Sequence, residues 1–123
     1  MNEQIRALMA EVLDEGLDDW ITLGHILYRA SELASVESRG VALAVVRTLL
    51  LEGLAVPGYI GDSGFEAWDL NPEQAMERVV AECEKRNWVL GLTDIWLATT
   101  ERGDDLARVI NAQGEEALDQ VLW

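Results

Sequence analysis

The chain has 123 residues, of which half are hydrophobic and five are Trp, so it can bury one hydrophobic core and does not have the composition of a disordered protein. Its 23 acidic and nine basic residues give a formal net charge of -14, which repels the phosphates of nucleic acids and the anionic surface of membranes. The same charge favours a basic protein as partner, because complementary potentials speed encounter.

Cysteine content and hydropathy bear on the compartment. Cys83 is the only cysteine, so no intramolecular disulfide can form and a reducing compartment fits. The longest apolar stretch, residues 41–46, is too short to cross a bilayer. We therefore expect a cytoplasmic protein with one domain over residues 1–123.

Three helices are predicted in the first part of the chain. Apolar residues recur at three-and-four spacing over residues 3–15, which predicts the first helix. Thr22 is placed to cap a second helix that ends near Ala34. The third helix is predicted from Arg39 to Gly53, where a glycine is typical of a helix C-terminus.

A β-hairpin is predicted after Gly53. Two apolar-rich runs, residues 54–60 and 65–70, flank a turn of four residues from Gly61 to Gly64. Pro57 has no backbone N–H, so we expect it at an edge or a bulge rather than in a central strand.

The last part of the chain begins with a fourth helix. Asn71 as N-cap, Pro72 at the first helical position and Gln74 at the third predict its start, and its end is expected near Asn87. Residues 88–92 fit either a loop or a short strand.

The secondary structure of two segments beyond residue 92 is not defined by the sequence alone. Residues 93–98 fit either a short helix or a strand, because six apolar-rich residues do not define a period. Thr99 or Thr100 caps a last helix, and residues 115–123 either extend it or fray.

This order of elements resembles a winged helix-turn-helix domain over residues 20–70, with a helical extension over residues 71–123. Helices 2 and 3 would form the helix-turn-helix, and the turn from Gly61 to Gly64 would be the tip of the wing. Residues 96–107 resemble the strand-Thr-x-x-Gly-x-x-Leu-Ala turn that is common near the end of such domains. The expected fold class is therefore mainly α, of the α+β type, with a β-hairpin.

The third helix has the wrong surface for reading DNA. A recognition helix needs polar and basic side chains on its outer face, whereas Arg39 and Arg47 are the only cations here. A helix that is apolar almost all round is buried in the core or pressed against a partner. We interpret it as a core helix, and a homodimer contact is the alternative.

Carboxylates crowd the end of the first helix. They oppose the helix dipole and repel one another, each at a cost on the order of a few tenths of a kcal/mol. A docking role would explain them, and ordinary solvation is the alternative. With two hairpin residues, the candidate partner-binding residues are Glu11, Asp14, Glu15, Asp18, Asp19, Glu66 and Trp68. Glu101, Asp104 and Asp105 form a second acidic patch.

Residues for catalysis or metal binding are scarce. His25 and Cys83 are the only residues of their types, so the chain has no ligand set for zinc and no evident nucleophile–base pair. No EF-hand loop is present in the sequence. We therefore expect no enzyme activity, no cofactor, no metal and no nucleic-acid or membrane partner.

A small acidic chain of this profile is similar to the immunity proteins of bacterial polymorphic toxin systems, including contact-dependent growth inhibition. Residues 58–68 carry the pattern Gly-x-x-x-Asp-x-Gly-Phe-x-x-Trp, which resembles small bacterial proteins of that kind. The resemblance implies an inhibitor that occludes a basic toxin domain, commonly a nuclease. The alternative is a winged-helix transcription regulator or antitoxin.

Overall fold

The computed structural model describes residues 2–34, 36–91 and 95–122. Within these ranges, six helices and a four-stranded antiparallel sheet form a mainly helical α+β fold, which confirms the predicted class. In chain order the elements are α1 (Glu3–Gly16), β1 (Ile21–Thr22), α2 (Leu23–Leu33), α3 (Ser38–Leu51), β2 (Ala55–Gly61), β3 (Gly64–Ala67), α4 (Pro72–Lys85), β4 (Trp96–Thr99), α5 (Glu101–Gln113) and α6 (Ala117–Leu122).

Side-chain caps define the starts of three helices where the sequence predicted them. The Thr22 hydroxyl accepts a hydrogen bond from the backbone N–H of the third residue of α2 at 3.0 Å. Asn71 and Gln74 form a reciprocal capping box at the start of α4. Of the two threonines considered for α5, Thr100 is the N-cap. Each cap satisfies a backbone donor that a helix start leaves unpaired.

The sheet combines strands from both ends of the chain in the order β1-β4-β2-β3. The hairpin of β2 and β3 is present as predicted, and β4 pairs with both β1 and β2. Within residues 93–98, residues 96–98 therefore belong to a strand, whereas Thr93 and Asp94 lie outside the described residues. The strand β1, which has two residues, was not predicted.

Pro57 occupies a position that the sequence analysis predicted wrongly. The strand β2 lies between β4 and β3, so Pro57 is in an internal strand, in register with Leu97. Its carbonyl accepts a hydrogen bond from the Trp68 N–H at 3.0 Å. The backbone nitrogen and carbonyl of one strand residue point to the same side. The Pro57 nitrogen, which carries no hydrogen, therefore faces Trp68, just beyond the end of β3. The hydrogen bonds between β2 and β4 do not need a donor at this position.

The third helix is the central helix of the core. It contacts α1, α2, α4 and β2, as the interpretation of a core helix requires. Its buried residues are Val41, Ala42, Val45, Val46, Leu49 and Leu50. The side of α3 that faces α4 lines an open groove.

The end of the chain forms a helix of its own. The helix α5 ends at Gln113, and its C-cap Gly114 has a φ of +94° that interrupts the helical path, so the residues that follow do not extend α5. The short helix α6 is anchored to α1, because Arg6 donates a hydrogen bond to Asp119 at 2.5 Å. No helix within the described ranges is long and apolar enough to cross a membrane.

Candidate functional site

Two of the five carboxylates predicted at the end of α1 are paired within the molecule. Glu11 Oε1 accepts a hydrogen bond from Arg29 Nε at 2.5 Å, and Glu15 Oε2 lies 2.9 Å from His25 Nε2. The hydrogen bond with Glu11, followed by one with Glu32, raises the pKa of Arg29 above its ordinary value. Both glutamates therefore face α2, where they join the two helices.

The other three carboxylates are exposed to solvent. Asp14 Oδ1 accepts a hydrogen bond from the Asn111 side-chain amide at 3.1 Å, and Asp19 Oδ1 accepts one from the Trp20 backbone N–H at 2.8 Å. Asp14, Asp18 and Asp19 form no ion pair with any residue that the structure describes. Their negative charge is directed at solvent.

Trp20 joins this acidic segment to the hairpin. Its side chain is 42% exposed, and the centroid of its ring lies 6.0 Å from that of Phe65 on β3, with a tilt of 33°. A Cβ atom on Gly64, at the hairpin tip, would lie 3.6 Å from Trp20 Cη2. We use the name acidic–aromatic surface for Asp14, Asp18, Asp19, Trp20 and Phe65.

Two shallow depressions meet at the centre of this surface. Asp18, Asp19 and Trp20 line both of them, and their volumes are about 440 and 340 Å³. The second also includes Asp104, whose Oδ1 lies 2.6 Å from the Thr99 hydroxyl. The fold thus brings a member of the second predicted acidic patch beside the first, although 85 positions separate Asp104 from Asp19.

Glu66 and Trp68 lie apart from the acidic–aromatic surface. Side chains alternate between the two faces of a strand, so Glu66 points away from the face that carries Phe65, and a Cβ on Gly61 would lie 1.8 Å from its Oε2. Trp68 packs against the core, and the Arg78 Cζ lies 4.1 Å from its ring centroid. These two predicted residues are therefore not brought together with the aspartates.

The exposed aromatic residue that lies beside Asp18 and Asp19 is instead Trp20, which was not among the predicted contact residues. The available signal was its position directly after Asp18 and Asp19, since tryptophans beside polar residues are typical interface anchors. Its partner Phe65 lies 45 positions away in the chain, and no local pattern predicts that contact.

Few groups of the described residues offer metal binding or nucleophilic chemistry outside this surface. Among the described residues, no three potential ligands come together in a way that could hold a metal ion. Cys83 is buried in α4, and burial raises the pKa of its thiol to about 11. His25 pairs with Glu15 and lies away from Cys83 in the chain.

The two cations of the third helix have different surroundings. The Arg39 guanidinium carbon lies 5.0 Å from the centroid of the Trp88 ring, and Arg47 lines the groove between α3 and α4 together with Glu77. The helix α4 packs against α3. The outer side of α3 therefore does not present a row of basic side chains for a DNA groove.

Comparison of the chain with protein-family models, curated proteins and solved structures finds no significant match.

Proposed function

We propose that the protein is an inhibitor of the immunity-protein type, which binds a basic toxin domain in the cytoplasm and neutralises it by covering its surface. A nuclease is the proposed toxin activity. In this proposal the protein needs no cofactor and carries out no catalysis. The observation that carries it is the acidic–aromatic surface, where an exposed tryptophan lies among aspartates that form no ion pair with a described residue.

The charges of this surface suit fast encounter with a basic partner. Asp14, Asp18 and Asp19 would meet Lys or Arg without first breaking an ion pair, because they have none with a described residue. Glu11 and Glu15, by contrast, are already matched by Arg29 and His25. The unpaired aspartates are therefore the main electrostatic contacts in the proposal.

Trp20 supplies the apolar part of the proposed contact. Tryptophan is enriched among the residues that contribute most to binding energy at protein interfaces. The Phe65 ring beside it limits the rotation of the indole, so less conformational entropy is lost on binding. The carboxylates around it would form a polar rim.

A nuclease is favoured because of the ligand that it binds. Its cleft must present cations to the phosphates of its substrate. Carboxylates on an inhibitor can occupy the same cations, which would exclude the nucleic acid. An acidic inhibitor and a nuclease cleft are thus complementary in charge.

The first experiment is co-expression with the product of the adjacent upstream open reading frame, followed by isothermal titration at low and at moderate salt. We expect tight one-to-one binding that weakens with salt, together with loss of the toxicity of that product. A toxic product that is neither bound nor silenced would contradict the proposal.

Charge reversal tests whether the acidic–aromatic surface makes the contact. Changing Asp14, Asp18 and Asp19 to Lys is expected to lower the association rate by about 10-fold or more and to reduce its salt dependence. The matched control reverses three exposed acidic residues elsewhere, Glu3→Lys, Asp69→Lys and Glu116→Lys. Equal losses in the two variants would show that only net charge matters, and would remove this surface from the proposal.

A winged-helix transcription regulator or antitoxin is the competing function, favoured by the order of elements from α1 to β3. It predicts that the protein shifts duplex DNA in a gel at low salt. A shift that is lost when Arg39 and Arg47 are changed to Ala would support it and would count against the inhibitor.

A further inference from the structure

A groove lies between α3 and α4. Its volume is about 920 Å³. On α3 its lining extends from Gly40 to Leu51, and eleven helical steps cover roughly 16 Å, about three turns. The floor is apolar and consists of Leu43, Ala44, Leu51, Met76, Val80 and Ala81.

Charged side chains stand on the two walls of the groove, and their signs differ. The wall formed by α4 carries Glu73, Glu77 and Glu84, and the wall formed by α3 carries Arg47. None of the four forms an ion pair or a hydrogen bond of its side chain with a residue that the structure describes. They are available to a ligand in the groove.

The apolar floor is open to solvent in part. Leu51, at the end of α3, is 40% exposed, although Leu49 and Leu50 directly before it are buried. No residue of the groove belongs to the acidic–aromatic surface, so the inference does not rest on the proposed function.

We propose that this groove binds one amphipathic helix of a partner protein, with an apolar stripe flanked by Lys or Arg. The apolar stripe would lie on the floor, with side chains at the i, i+3 or i+4, and i+7 positions. The basic flank would face Glu73, Glu77 and Glu84, and an acidic residue on the other flank would face Arg47. The unequal walls thus define the rotation of the bound helix.

A partner is favoured over a second copy of the same chain by charge. The chain has 23 acidic and nine basic residues, and each of α1, α4 and α5 carries more acidic than basic side chains. Two copies would therefore bring carboxylates to carboxylates, which is repulsive. A basic helix removes that repulsion.

The probe for the test is a synthetic Leu/Lys peptide of about 14 residues with helical amphipathic spacing, labelled for fluorescence anisotropy. One control peptide has the same composition in scrambled order, and another has Glu in place of Lys. We expect binding of the first peptide only, and equal binding of the scrambled peptide would overturn the proposal.

Variants of the protein distinguish peptide binding in the groove from nonspecific attraction of a basic peptide to an acidic protein. Glu77→Lys with Glu84→Lys should weaken peptide binding by about 10-fold, whereas Glu3→Lys with Glu116→Lys, which change the net charge equally at exposed positions outside the groove, should change it by less than about 2-fold. Equal losses in both pairs would overturn the proposal.

A second pair of variants tests the floor of the groove without removing core contacts. Ala81 on α4 and Ala112 on α5 are both exposed helical residues, and thermal denaturation checks that the arginine variants remain folded. Ala81→Arg should weaken peptide binding by about 10-fold and Ala112→Arg by less than about 2-fold. Unchanged peptide binding by the Ala81→Arg variant would overturn the proposal. The proposal would also be overturned if sedimentation showed that the unchanged protein is a dimer and that the Ala81→Arg variant is a monomer.

Discussion

Gly103, in the first turn of α5, lies directly against the backbone of Leu54. A Cβ atom at position 103 would lie only 2.1 Å from the Leu54 carbonyl oxygen. That oxygen also accepts a hydrogen bond from the Thr100 N–H at 2.9 Å. The glycine of the Thr-x-x-Gly pattern therefore allows the start of α5 to pack against the chain between α3 and β2.

Gly103→Ala is expected to lower the free energy of unfolding by about 2–3 kcal/mol, because the new methyl group would force backbone atoms apart. Gly40→Ala is the matched control. A Cβ at Gly40, in the first turn of α3, would lie 3.4 Å from the nearest atom, Glu37 Oε2. We expect that variant to gain up to about 1 kcal/mol from helix propensity. Urea denaturation measures both, and similar effects of the two substitutions would contradict the packing account.

Thr100→Ala should cost about 1–2 kcal/mol, because the hydroxyl makes two hydrogen bonds. It accepts from the Gly103 N–H at 3.1 Å and donates to the Gly53 carbonyl at 2.7 Å. Thr100→Ser keeps the hydroxyl and should cost less than about 0.5 kcal/mol. The comparison of the two variants in urea denaturation isolates the cap, and a loss as large for Ser as for Ala would assign the effect to the methyl group.

Cys83 should resist thiol reagents at neutral pH in the folded protein and react once the protein is denatured. Its thiol is buried, and burial raises its pKa to about 11 from an ordinary value of 9.0. Only the thiolate form is nucleophilic. At neutral pH the Cys83 side chain of the folded protein is almost entirely in the thiol form. Rapid labelling of the native protein at neutral pH would contradict the burial of this side chain.

The same pKa shift gives stability a pH dependence with a defined sign. Between about pH 9 and about pH 11 the unfolded thiol has lost its proton while the folded one keeps it, so the native state is stabilised less as pH rises. The loss is at most about 2–3 kcal/mol. Cys83→Ala removes the contribution of this thiol to the pH dependence, whereas the other groups still titrate. The measurement is the free energy of unfolding of both proteins, by urea denaturation, between about pH 9 and about pH 11. If the free energies of unfolding of the two proteins changed equally with pH, the raised pKa of Cys83 would be contradicted.

Trp20→Ala and Trp68→Ala are expected to have opposite consequences. Trp20 is exposed at the proposed contact, so its removal should change stability by less than about 1 kcal/mol but weaken partner binding by about 30-fold. Trp68 packs against the core beneath Arg78, so its removal should cost about 2 kcal/mol of stability and leave the binding of the folded protein unchanged. Titration calorimetry and thermal denaturation of both variants separate the two roles. Weaker partner binding by Trp68→Ala and lower stability of Trp20→Ala would indicate that Trp68, and not Trp20, contacts the partner.

Much of the helical framework was predictable, because its signals are local. A cap such as Thr22 or the Asn71–Gln74 box acts over three residues, and the apolar period of α1 acts over four. The glycine at position 53, with a φ of +69°, follows α3 as expected. Local hydrogen bonds and side-chain periodicity leave a pattern in the sequence that can be recognised without knowing the rest of the fold.

The candidate site was predictable only in part, because charge along the sequence does not reveal pairing. The aspartates and glutamates at the end of α1 are equivalent as a run of acidic residues. In the fold, Arg29 neutralises Glu11, whereas Asp18 and Asp19 remain exposed. An ion pair across helices depends on their packing, so the sequence overstated the number of available carboxylates.

The sequence by itself determined the fold class, the acidic character, the helix starts and the hairpin, since each depends on composition or on neighbours a few residues apart. Only the tertiary structure decided that β4 lies between β1 and β2, that Pro57 is internal, and that Trp20 meets Phe65. The pairing of Ile21 with Leu97 joins residues that are distant in the chain. Such contacts are selected by burial and packing of the whole molecule, and no short segment encodes them.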